Sequence, residues 1–101
     1  MGSRSELHEL LKNILGSGNV YFQPPASLKM SYPAIRYVRV PIINHFANNL
    51  VYNQAHRYEL TLIDKDPESD YIAPLSKLPT CRHDRHYVSD NLNHDVFTIY
   101  Y

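Results

Sequence analysis

The chain has no tryptophan, one cysteine and three glycines among its 101 residues. Each scarcity excludes something. A lone cysteine, Cys81, rules out an intrachain disulfide, so a secreted, cystine-stapled fold is not indicated. The glycines are Gly2, Gly16 and Gly18. They do not supply a P-loop or a dinucleotide fingerprint, because both need glycines at a strand–helix turn. No stretch approaches the ~20 apolar residues of a membrane-spanning helix. The first residues lack the apolar run of a signal peptide, so a soluble, intracellular product is expected. An excess of charge is missing too: Lys+Arg and Asp+Glu are both 10. Neutrality argues against nucleic-acid binding driven by bulk charge, and it removes a repulsion that keeps small domains apart. The six histidines would add positive charge in mild acid.

What the chain does have is tyrosine, nine of them. An apolar ring with a polar tip suits half-buried sheet faces and subunit contacts. A chain of this length is expected to form one domain, residues 1–101. Such a domain hides only about 60–70% of its unfolded surface, so assembly would add stability.

The clearest element is a helix over residues 4–15. Leu7, Leu10, Leu11, Ile14 and Leu15 recur at helical spacing and make one apolar stripe. Ser3 and Glu6 have capping-box spacing, and Gly16 sits where a C-terminal stop belongs. Val20-Tyr21-Phe22 reads as a short strand ended by Pro24-Pro25. Residues 34–40 read as a strand with Ile35 and Tyr37 on one face and Arg36 opposite. Arg57–Asp64 alternates, placing Tyr58, Leu60 and Leu62 inward and Arg57, Glu59 and Thr61 outward. Ile72, Leu75 and Leu78 predict a short helix near 70–78, with Pro74 either in its first turn or kinking it. Two final strands, near 82–88 and 93–101, form a hairpin around Ser89-Asp90-Asn91-Leu92. A strand this dense at the end of the sequence frays unless neighbours hold it. The expected fold is α+β: a mainly antiparallel sheet of four to five strands, with the N-terminal helix and the short second helix packed on one face.

Residues 41–54 combine Asn44, His45, Asn49 and other polar residues with Phe46 and Tyr52. They read as a long loop or an extended hairpin tip, and apolar residues in a polar frame suit a contact arm. Cys81, His83, His86 and His94 invite comparison with a zinc site, which needs four converging ligands. On a regular strand, however, Cys81 and His83 share a face and His86 points away. Asp84, His86, Ser89 and His94 contain hydrolase residue types, but no nucleophile elbow or glycine-lined oxyanion site accompanies them. Arg82 and Arg85, with the histidines beside them, make a small basic cluster tempered by Asp84 and Asp90.

Several motifs resemble the small neck proteins of long-tailed bacteriophages: the tail terminator, tail completion, minor capsid or head–tail joining family. They are the N-terminal amphipathic helix, Val20-Tyr21-Phe22-Gln23-Pro24-Pro25, Tyr32-Pro33-Ala34-Ile35-Arg36-Tyr37, the run from Arg57 through Asp66-Pro67, and the final hairpin from Asp84 to Tyr101. The resemblance covers nearly the whole chain, from about residue 5. It implies a virion structural protein with no catalytic residues, cofactor or metal. In such proteins a homohexameric ring caps the head-proximal end of the tail tube, stops its growth and joins tail to head. The implied partners are further copies of the chain, the tail tube protein, the head-closure or connector protein, and genome DNA sliding through the channel. The implied setting is the virion neck, after assembly in the host cytoplasm, with no membrane. Neutrality suits such a channel, because strong phosphate binding would retard the DNA. Subunit contacts are expected at Asn44, His45, Phe46, Asn49, Tyr52, Arg82, Arg85, His86, Tyr100 and Tyr101. A head-closure or connector ring is the alternative within the neck. A small metal-dependent enzyme using Cys81, His83 and His86 is the alternative from another class.

Overall fold

A computed structural model describes residues 3–41 and 56–101. The expected contact arm, with Asn44, His45, Phe46, Asn49 and Tyr52, lies outside the described residues.

Helix α1 spans Arg4–Leu15. Its start is set by a complete capping box: the Glu6 amide donates to the Ser3 hydroxyl, and the Ser3 amide donates to the Glu6 carboxylate. Its end is set by Gly16, whose φ of +74° is easy only without a Cβ. Strands β1 (Val20–Phe22), β2 (Ala34–Val40) and β3 (Arg57–Asp64) follow, then the short helix α2 (Ile72–Ser76). Strands β4 (Cys81–Ser89) and β5 (Leu92–Tyr100) complete the order. The α+β architecture is therefore the one expected.

The sheet has five strands in the order β1-β2-β3-β5-β4. Among the described strands β1 and β2 pair in parallel, and the other neighbours are antiparallel. Between β4 and β5 the turn is reduced to Asp90 and Asn91, with φ of +53° and +63°. Positive φ at both central residues matches the twist of a tight hairpin, and Asp and Asn tolerate it well.

Directly paired residues share a face, so the register sorts the sheet into two sides. One side carries Val20, Ile35, Tyr37, Tyr58, Leu60, Leu62, Phe97 and Ile99. These pack with Leu7, Leu11 and Leu15 of α1 and Leu75 of α2 into one buried cluster. Within the apolar stripe of α1, Leu10 and Ile14 are only partly buried at the cluster's margin. The tyrosines divide: Tyr37 and Tyr58 are core residues, while Tyr32 and Tyr87 are exposed.

One outward assignment needs correction. Thr61 is buried on the side away from the helices, together with Ile63, Val96 and Thr98. It sits on a central strand, paired with Arg36 on β2 and Val96 on β5. Neighbouring strands flank it on both sides, and none of the described helices packs on that face.

Leu11 is fully buried and Leu10 is not. Leu11→Ala should cost about 2–5 kcal/mol and Leu10→Ala markedly less. Urea midpoints of the two variants, with unchanged slopes, measure the difference.

Candidate functional site: an open sheet edge

The sheet has two edges of unequal length. β1 offers three residues and is followed by Pro24-Pro25; β4 offers nine. From Arg82 to Ser89 every β4 residue is exposed. An open edge of this length presents unpaired backbone groups that can template another strand. Charge and a bulge are the usual defences, and β4 has both.

The bulge lies between His83 and Arg85. Asp84 is the extra residue, so the alternation of side chains reverses across it. Cys81 pairs with Ile99, His83 with Phe97 and His86 with Asp95. All three partners lie on the helix-covered side, so His86 shares a face with Cys81 and His83. This corrects the expectation from regular alternation, under which His86 points away. Among the described residues, no three His, Cys, Asp or Glu side chains converge as a metal-binding group.

Each histidine of this row has its own partner. His83 Nε2 is 3.0 Å from Asp95 Oδ1, and the ring stands edge-on to Phe97. Asp95 is buried, so its charge needs a partner of this kind. His86 Nε2 lies 3.1 Å from Asn93 Oδ1. The Asn93 amide group donates to the Asp64 and Lys65 carbonyls, which turns Oδ1 toward His86. His86 Nε2 is therefore the donor.

On the opposite side, Arg82 Nε donates to Asp84 Oδ1 at 2.9 Å, and the Thr98 hydroxyl donates to Asp84 Oδ2. Partial burial would raise the Asp84 carboxyl. The hydrogen bonds from Thr98 and Arg82, and the charges of Arg82 and Arg57, outweigh that effect and hold it below the ordinary value. Arg85 is exposed and has no side-chain partner among the described residues. Asp84, His86, Ser89 and His94 do not assemble. His86 is bonded to Asn93 on one face, and His94 stacks on Tyr87 on the other, with ring centroids 4.6 Å apart. Cys81 is half-buried; burial, and then the Asp84 charge, push its thiol up to about 11. A thiol so held is a poor nucleophile near neutrality.

The far end of β5 is tied down rather than frayed. The Tyr101 amide donates to the His56 carbonyl at 2.8 Å, and the His56 amide donates back at 3.4 Å. Thr80 accepts from the Tyr100 amide and donates its hydroxyl to the Tyr100 carbonyl. Tyr101 also packs against the core cluster. Beside it, Leu10, Leu78, Pro79, Ile99, Tyr100 and Tyr101 line most of an open groove of about 410 Å³.

A third polar group joins α1 to the sheet. Arg4 Nη1 donates to the Tyr37 hydroxyl at 3.3 Å, which directs the hydroxyl proton to His8 Nδ1, 2.7 Å away. Burial, followed by the charges of Arg4 and Lys12, holds His8 below its usual pKa and so keeps it neutral enough to accept. The guanidinium of Arg4 also lies 4.6 Å from the Phe22 ring centroid.

Of the expected contact residues that can be placed, Arg82, Arg85 and His86 lie on the open edge. Tyr100 and Tyr101 lie at the groove. Asp84, Asn93 and Asp95 were missed as organisers of that edge. The sequence signal for them was slight: a single acid, Asp84, among the basic residues of β4. No family model, curated protein or solved structure matches the chain. No helix among the described residues is long and apolar enough to cross a membrane.

A thiol pushed up to about 11 from its ordinary 9.0 has roughly a hundredfold less thiolate at pH 8. Iodoacetamide should therefore modify folded Cys81 slowly at pH 8, with the rate rising toward pH 11. Asp84→Asn removes a raising charge and should move that rise to lower pH. Alkylation rates across pH, followed by mass spectrometry, measure both.

Proposed function

We propose that this chain is a virion structural protein of the tail-terminator type. It assembles as a homohexameric ring on the head-proximal end of the tail tube, stops tube growth and joins tail to head. The partners in this reading are neighbouring copies, the tail tube protein and the head-closure or connector protein. Genome DNA passes through the central channel without sequence-specific contact. The place of action is the virion neck, after assembly in the host cytoplasm.

The observation that carries the reading is the unequal pair of sheet edges. One small domain offers a long, exposed β4 on one flank and a short β1 on the other. A closed ring needs two unlike surfaces on each subunit. A strand edge can supply one through main-chain pairing, with side chains setting the choice of partner. The polar groups on and near β4 support a contact role over chemistry. His83, His86, Asp84 and Asp95 each engage a neighbour within the domain. The motifs quoted above as resembling phage neck proteins point the same way.

Purified protein mixed with growing tail tubes should give tubes of limited length, with a ring of density at one end in negative-stain images. Tubes that grow without limit, beside protein that never attaches, would overturn the proposal. Removing Tyr100 and Tyr101 should lower both the unfolding midpoint and the fraction of capped tubes. Unchanged stability and capping would show that this end has no part in either.

A further inference from the structure

We propose that, away from a tail tube, β4 pairs antiparallel with β4 of a second copy about a two-fold axis, and that the bulge sets the register. This pairing goes beyond the ring reading and stands without it. If both hold, the two contacts compete for one edge, and the two-fold pair is the free form of the protein.

The argument starts from parity. Cys81 and His83 lie on the helix-covered side and Arg82 on the other; after Asp84, His86 lies on the helix-covered side and Arg85 and Tyr87 on the other. Asp84 joins the second group, because its carboxylate bonds Thr98 there. Cross-strand partners must share a face, and a slip of one residue breaks that match. Along the full strand, one register satisfies every position. Asp84 then faces Arg85 of the second copy, His83 faces His86, Arg82 faces Tyr87 and Cys81 faces Val88. The two-fold axis makes each contact twice.

Charge and facing reject the alternatives. A slip of two residues one way sets Arg82 opposite Arg85, and like charges directly opposite are destabilising. The same slip the other way sets Arg85 opposite His86, which point to different faces. In the matched register Arg85, otherwise without a side-chain partner, gains a carboxylate. Asp84 can accept it, since a carboxylate has room for about four donors. Arg82 meets the face of Tyr87, which is 38% exposed in the single chain. Val88, 61% exposed, meets half-buried Cys81. The edge is complementary to itself in charge and in apolar contact.

The test uses charge reversal by halves. The wild-type protein should sediment as a dimer that dissociates on dilution. Arg85→Asp sets acid against acid and Asp84→Arg sets base against base, so each variant alone should be monomeric, with circular dichroism confirming that each still folds. Mixed in equal amounts, they should form a one-to-one heterodimer, because each then supplies the charge the other lacks. A second arm does not depend on those charges. Val88→Cys sets a new thiol against Cys81 of the other copy. Mild oxidation at alkaline pH should give a covalent dimer from this variant and none from the wild type. The two positions are too far apart along one strand to bond within a chain. A wild-type monomer with no Val88→Cys cross-link overturns the proposal. So do charge variants that stay dimeric alone, or a mixture that forms no heterodimer. Tube capping plays no part in these readouts, so failure of the ring reading would be seen separately.

Discussion

β5 pairs with two strands at once, and the rest of the structure depends on that position. Its eight-pair ladder with β3 sets Phe97 and Ile99 beside Leu60 and Tyr58. Those four side chains form the floor on which Leu7, Leu11 and Leu75 close the core. Because β5 is central, the hydrogen bonds at Tyr100 and Tyr101 extend an interior ladder, and Thr80 and His56 clasp it from both sides. The same choice pushes β4 to the rim. A strand that precedes β5 in sequence and is joined to it by a two-residue turn has no other place once β3 occupies the inner side. The exposed edge is thus a consequence of core formation.

The second organising feature is the extra residue in β4. If Asp84 were paired as a regular strand residue, His86 would face away from the helices and Arg85 toward them. With the bulge, His83 and His86 form one row, supported by Asp95 and Asn93, and Arg82, Asp84 and Arg85 gather on the other side. The bulge therefore separates histidine from arginine along a strand whose sequence mixes them. It also distorts an otherwise flat edge, which limits unselective pairing while leaving a selective register open.

Much of this was legible in the residues. The capping box, the glycine stop and the leucine stripe placed α1, because helix ends and faces are governed by local chemistry. The alternation of Tyr58, Leu60 and Leu62 placed β3 and its inner face for the same reason. The exposed edge was legible in part: Arg82, Arg85 and His86 were marked, but their mutual arrangement was not. A bulge has no compositional signature here, since Asp84 is an ordinary residue for an exposed strand. The burial of Thr61 was also hidden, because its flanking partners, Arg36 and Val96, are far away in sequence.

The sequence by itself determined the order of the described elements, where α1 begins and ends, and most of the side chains that form the core. These follow from propensity, periodicity and capping, all of which act within a few residues. The tertiary structure alone decided that β5 is central and β4 an edge, that β1 lies parallel to β2, and that His86 joins the face of Cys81 and His83. Each of these is a pairing between distant segments. Such pairings are selected by the joint burial of both partners, a quantity that neither segment carries alone.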